Sequence, residues 1–140
     1  MRNKKRRGLK LLGAGRKTKY VFDNPTPEVL EVFENPQSLS NYVVQFQTDE
    51  VTALCPITSQ PDFYEVRITY IPDKWCIESK SLKLYLFSLR SSGGFIEDLA
   101  NMILYDLVKV CQPQYMKVVL IMKPRGGIKM TVCSIYRAEI

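Results

Sequence analysis

Apolar and polar positions alternate along two stretches in the middle of the chain. Tyr42-Val-Val-Gln-Phe-Gln-Thr48 and Phe63-Tyr-Glu-Val-Arg-Ile-Thr-Tyr-Ile71 both have the period-two, β-branched pattern of half-buried strands, and Pro72-Asp73 supplies turn chemistry after the second. The period then changes. Leu82, Tyr85, Leu86 and Leu89 share one helical face within Ser79–Arg90, and Ser91-Ser-Gly-Gly94 interrupts it. From about Phe95 to Cys111, Leu99, Met102, Ile103, Leu107 and Cys111 recur at helical spacing until Pro113 closes the helix. Tyr115 to Lys123 is apolar and β-branched in its middle, Pro124-Arg-Gly-Gly127 turns, and Ile128 to Tyr136 predicts a last strand. The order β-β-α-α-β-β predicts an α+β fold: a four-stranded antiparallel sheet with two helices on one face. Such a sheet leaves two edges to be paired or covered, and edge-to-edge assembly into a closed multi-subunit barrel is one solution.

Residues 1–40 have a different texture. Gly8, Gly13, Gly15, Pro25, Pro27 and Pro36 punctuate them, with a short helical stretch expected after Pro27 over Glu28-Val-Leu-Glu-Val-Phe33. They read as a basic, flexible N-terminal arm, with the folded domain spanning 41–140. The net charge of +6 is concentrated in that arm, at Arg2, Lys4, Lys5, Arg6, Arg7, Lys10, Arg16, Lys17 and Lys19. Such an arm either contacts phosphate backbones or is a solvated terminus, so overall basicity says little about nucleic acid.

At 140 residues and 46% hydrophobic content the chain is long enough for one domain with a core. No apolar run approaches the roughly 20 residues that cross a bilayer, and no signal-peptide stretch follows the basic start. A cytoplasmic protein is expected. Cys55, Cys76, Cys111 and Cys133 form no C-x-x-C pair, which argues against zinc ribbons and a disulfide scaffold and for reduced thiols.

The chain contains no histidine. That removes Cys–His dyads, Ser-His-Asp triads and His-ligated zinc together. Cys55 nevertheless sits in Leu-Cys-Pro-Ile-Thr-Ser-Gln-Pro-Asp-Phe, flanked by prolines and followed seven residues on by Asp62. If Cys55 is a nucleophile, it must become a thiolate through positive charge, backbone dipoles or its own substrate, with Asp62 to move the proton. The alternative is a small structural thiol at a strand end, with Asp62 as a turn acceptor. Glu78-Ser-Lys-Ser-Leu-Lys83 opens the first helix, where Lys80 and Lys83 point the same way and either hold phosphates or cap a solvated helix start. Glu97 is a first-turn acid of the second helix, and Arg125 precedes glycines that let a ligand approach the backbone. There is no G-x-G-x-x-G and no P-loop, and no constellation requires a metal.

In order, Cys-Pro-Ile-Thr-Ser-Gln-Pro-Asp-Phe, Tyr-Ile-Pro-Asp, Glu-Ser-Lys-Ser-Leu-Lys-Leu-Tyr, Phe-x-Glu-Asp and Pro-Arg-Gly-Gly resemble the 7-cyano-7-deazaguanine reductases. These are the NADPH-dependent nitrile reductases of queuosine biosynthesis, and the likeness is to their short, single-module form, from about Leu9 to Ile135. The resemblance implies that 41–140 is a tunnelling-fold catalytic domain, shared in kind with GTP cyclohydrolase I, whose subunits form barrels with active sites between them. It implies that Cys55 attacks the nitrile carbon to form a thioimide, that Asp62 donates the proton, and that NADPH delivers hydride twice to give the 7-aminomethyl product. It implies that Glu78, Ser79, Phe95, Ile96 and Glu97 surround the base, and that Lys80, Lys83, Arg125 and Gly126 contact the cofactor. Two positions depart from the family: Ile96 stands where members carry His, predicting slower reduction than thioimide formation, and Leu99 stands where some carry a second Cys. Two other readings remain open at this stage. One is an archaeosine-type homologue that passes the thioimide to ammonia on tRNA, though such homologues lack the lysine motif. The other is a non-catalytic deazapurine-binding barrel subunit.

Overall fold

The computed structural model describes residues 9–10 and 25–139. Its organising element is β3 (Pro61–Ile71), the strand on which the buried face is clearest. Asp62, Tyr64, Val66, Ile68 and Tyr70 all turn inward and are nearly inaccessible, whereas their odd-numbered neighbours face the other way. β5 (Tyr115–Met122) pairs antiparallel with β3 so that Leu120 lies opposite Val66, Val118 opposite Ile68 and Met116 opposite Tyr70. Like side chains meet like across the ladder, which is what holds a register when one face is buried.

β2 (Val44–Leu54) lies on the other side of β3 and β6 (Thr131–Arg137) beyond β5, giving the order β2-β3-β5-β6 with every pair antiparallel. β2 runs past the Thr48 end read from the sequence. Its register slips by one residue between Thr48 and Val51, a bulge at Asp49-Glu50, so Phe46 packs against the core before it and Val51 and Ala53 after it. That phase change is why simple alternation lost the strand at Thr48. The last strand begins at Thr131, three residues beyond the expected Ile128.

Both helices cover the inward face. α2 (Ile96–Cys111) lays Leu99, Ala100, Ile103, Leu107 and Cys111 onto β5 and β6 and ends at Gln112, a left-handed C-cap (φ 44°) before Pro113. α1 (Ser79–Ser88) begins on the Glu78 side chain, which accepts from the amides of Lys80 and Ser81, and tightens into a 3-10 turn over Leu89–Ser91. The Tyr85 hydroxyl donates to Asp106 Oδ2 at 2.6 Å, joining the helices through an otherwise buried phenol.

The helical stretch expected over Glu28–Phe33 is a correction. Only Pro27–Val29 forms a 3-10 turn, and β1 (Val32–Glu34) is a strand paired antiparallel with β4 (Trp75–Ile77). Three-residue strands are too short to show a period, and their pairing spans more than forty residues of sequence, so local pattern could not reveal them. The basic runs Arg2–Arg7 and Arg16–Lys19 lie outside the described residues.

The core predicts its own test. Leu107 is fully buried, so Leu107→Ala should cost about 2–5 kcal/mol in denaturant unfolding. Tyr105, 76% exposed on the same helix, should tolerate alanine within about 0.5 kcal/mol. Equal losses at both positions would contradict this burial pattern.

Candidate active site

β2 delivers Cys55 to the end of the sheet at which β3 starts, since Leu54 and Ala53 pair with Pro61 and Asp62. The segment after α1 closes on the same place: Leu54 N donates to Ser92 O at 2.8 Å and Gly94 N to Leu54 O at 3.3 Å. Between the strands, Cys55–Gln60 folds into a tight loop held by Cys55 N to Gln60 O (2.8 Å) and Ser59 N to Cys55 O (2.9 Å). Ser59 takes a left-handed backbone (φ 57°) to complete it.

That loop answers the missing imidazole. The Cys55 thiol is lowered to about 7, first by the Thr58 hydroxyl, then by the backbone N–H groups of Thr58 and Ile57, and least by Arg125, against an opposing desolvation. Hydrogen bonds to the charged form, rather than a neighbouring base, make the thiolate accessible at neutral pH. The sulfur is half-buried, so it remains open to a reactant.

Asp62 is 6% exposed, and a carboxylate there requires a partner. Arg125 supplies one: Nη1 donates to Asp62 Oδ1 at 2.6 Å and Nη2 to Gln60 Oε1 at 3.0 Å, and the same cation helps favour the Cys55 thiolate. Arg125 arrives on the β5–β6 hairpin, where Gly126 (φ 56°) and Gly127 (φ 78°) form a two-residue turn between Arg125 and Ile128. Both turn positions have the positive φ that suits glycine. Tyr64 lies one pleat along from Asp62 on the buried face. Its phenol is pushed up to about 12, chiefly by burial and then by the charges of Asp62 and Cys55. The sequence reading passed over Thr58, Gln60 and Tyr64, although the period-two pattern already put Tyr64 on the same side as Asp62.

The other predicted residues divide into two sets. Phe95 is exposed as the N-cap of α2, with Glu97 and Asp98 exposed in its first turn, just after the Ser92–Gly94 segment that meets the end of β2. Ile96, expected beside the base, is 4% exposed and belongs to the hydrophobic core, as does Leu99. An apolar side chain at the start of a core-facing helix turns inward. The second set lies elsewhere. The Glu78 carboxylate is 3% exposed and occupied by α1, its oxygens accepting from Lys80 N and Ser81 N, each at 2.8 Å. Exposed Lys83 and Ser79 line a cavity of about 290 Å³ between β2 and α1, together with Glu50 and Arg90. Glu78 and Ser79 also line a second cavity, of about 390 Å³, with Phe33, Tyr42, Phe46 and Tyr70.

These two groups stand apart within one protomer. Glu78 follows Ile77, whose amide donates to the Tyr70 hydroxyl at 3.0 Å. Tyr70 lies eight residues along β3 from Asp62, roughly 26 Å at about 3.3 Å per residue. No described contact joins Arg125 to Lys80 or Lys83.

The thiolate environment is testable directly. Iodoacetamide capture of Cys55 should rise through a midpoint near pH 7. Thr58→Val should move that midpoint upward and slow capture at pH 7, whereas Thr58→Ser should preserve it. A Thr58→Val profile identical to wild type would remove the hydroxyl from this role.

The sequence model of the QueF-like protein family matches residues 61–139. The chain is 55% identical over 116 residues to the NADPH-dependent 7-cyano-7-deazaguanine reductase of Bacteroides thetaiotaomicron, covering 83% of this chain and 76% of that protein. It is 50% identical over 123 residues to the Bacillus licheniformis protein of the same name, covering 88% of this chain and 73% of that one. Among solved structures, the apo archaeosine synthase QueF-Like matches with a TM-score of 0.66 at 25% identity, over 72% of this chain and 99% of that one. Half of the positions being identical across more than four-fifths of the chain is a relationship of descent rather than of architecture alone, and this chain belongs to the QueF-like family.

Proposed function

We propose that this chain is a nitrile reductase, using NADPH to convert 7-cyano-7-deazaguanine to 7-aminomethyl-7-deazaguanine in the cytoplasm. The observation that carries the reading is a partly exposed thiol lowered to about 7 on a tight surface loop, in a chain whose relatives bear that name, with the buried Asp62 carboxylate at the start of the next strand. A nitrile is a poor hydride acceptor, and sulfur addition turns it into a thioimide, which is a better one. Cys55 forms the S–C bond and Asp62 delivers the proton to nitrogen. Glu97, exposed at the start of α2, is suited to the donor edge of a guanine-like base, and Phe95 to its ring face. A site that hydrogen-bonds such an edge discriminates strongly against bases lacking it.

The surroundings of Lys83 are compatible with a phosphorylated cofactor. Lys83 and Arg90 flank an apolar-floored cavity, and among the described residues neither has a carboxylate within ion-pair distance. Lys83, with Lys80 one turn earlier, would hold the cofactor's phosphates, and Ser79 and Glu78 lie at the same helix start. When bound, NADPH supplies the hydride equivalents.

The same distances favour a shared site. A base held at Cys55 and Glu97 does not reach Glu78 of the same protomer, so the complete centre forms between subunits of a homo-oligomer. Among the described residues the outer edges of β2 and β6 have no strand partner, and they offer the means of assembly. Mixing inactive Cys55→Ala with inactive Lys83→Ala subunits should then restore part of the activity after subunit exchange. Persistent inactivity in demonstrated mixed oligomers would count against a site built from two chains.

Chemistry is tested by incubating the protein with the nitrile base and following intact mass and NADPH absorbance separately. A covalent adduct lost in Cys55→Ala is expected, together with NADPH oxidation. Asp62→Asn should slow turnover by about 10² to 10⁴-fold. An adduct without any NADPH oxidation would shift the reading to the ammonia-transferring, archaeosine type, and the absence of both to a binding subunit.

A further inference from the structure

Arg125 is the residue whose surroundings say most that the reaction scheme leaves unused. Its guanidinium donates to two acceptors at once, Asp62 Oδ1 at 2.6 Å and Gln60 Oε1 at 3.0 Å, and Arg125 stands close enough to Cys55 to favour its charged form. All three belong to the loop and strand start that carry the reactive pair, sixty-three residues away from Arg125 at its Asp62 contact. The hairpin that presents Arg125 is a tight two-residue turn, so its aim is set by backbone rather than by a wandering side chain. A phosphate could take this guanidinium only by competing with Asp62.

We propose that Arg125 is a positioning residue of the Cys55–Asp62 pair, tying the Asp62 carboxyl to the Cys55–Gln60 loop so that acid and sulfur stand side by side for addition to a nitrile without an imidazole. The inference rests on the proposed function only for the fate of the proton on Asp62. Addition needs a thiolate beside a carboxylic acid. The sulfur lone pair forms the S–C bond and one π pair of the nitrile moves onto nitrogen. Nitrogen takes the proton from Asp62, which is left as a carboxylate against Arg125. Charge and protons balance with no further reactant.

The other groups facing this pair are identifiable. Thr58 and Gln60 come from the loop, and Tyr64 from β3 with a phenol pushed up to about 12 that stays protonated. Glu97 and Asp98 stand in the first turn of α2, and Lys123 lies over Phe63 on the opposite face of β3. Among these, Arg125 is the cation that ion-pairs with Asp62. Lysine keeps the charge but cannot present a planar fork to Asp62 and Gln60 together.

The experiment is iodoacetamide capture of Cys55 across pH in wild type, Arg125→Gln, Arg125→Lys and Asp62→Asn, with no nitrile or cofactor present. Its outcome is therefore independent of whether the chain reduces nitriles. Arg125→Gln should raise the midpoint and slow capture at pH 7 by about twofold to threefold, less than Thr58→Val does, with Arg125→Lys between it and wild type. Asp62→Asn, which leaves Arg125 to the sulfur, should lower the midpoint. Thermal unfolding of each variant verifies that it is folded, and Arg125→Lys serves if Arg125→Gln is not. A profile unmoved by substitution of Arg125 overturns the proposal. So does a profile unmoved by Arg125→Gln accompanied by at least tenfold weaker NADPH binding in calorimetry, which would make Arg125 a cofactor contact instead.

Discussion

The phase of β3 is the constraint on which the rest depends. Because one face of this strand is sealed by both helices, its inward positions form a single file from Tyr70 to Asp62, four of them apolar or aromatic and the last a carboxylate. Slipping the register by one residue would expose the tyrosines and aliphatic residues and turn Asp62 to solvent. The same burial that stabilises the fold therefore sets the reactive end. An ionised side chain at the head of a core-facing row is costly unless a cation meets it, and the β5–β6 hairpin carries Arg125 to it.

Thiol activation here follows from geometry rather than from a proton-accepting side chain. The Cys55–Gln60 loop folds back so that the Thr58 hydroxyl and the Thr58 and Ile57 amides favour the charged sulfur. Several modest donors acting together do what an imidazolium does elsewhere, with the difference that none of them titrates near neutral pH. A rigid loop matters for this, since donors that wander would lose their advantage over water. The two hydrogen bonds that close the loop and the left-handed Ser59 supply that rigidity.

Two polar groups sit toward opposite ends of β3. Helix α1 starts beside Tyr70, at the far end of the strand that begins beside Cys55, so Glu78 and the Cys55 loop are separated by most of the strand's length. Among the described residues the outer edges of β2 and β6 carry no further strand, and such edges are ordinarily paired or covered.

Alternation and helical spacing in the sequence determined the type and order of the main elements, because one-sided burial leaves a local period that needs no tertiary information. They also picked out Cys55 and Asp62 as a pair, through the prolines around the loop and the absence of any histidine. Three things only the folded chain decided. The bulge after Thr48 and the ribbon of Val32–Glu34 with Trp75–Ile77 depend on partners distant in sequence, which no window of residues contains. Ile96 entered the core because α2 buries that side of its first turn, a choice made by packing. Arg125 was grouped by sequence with Lys80 and Lys83 as one more cation. Its contact with Asp62 exists because a glycine turn aims it across the sheet, and charge in a sequence carries no direction until the backbone gives it one.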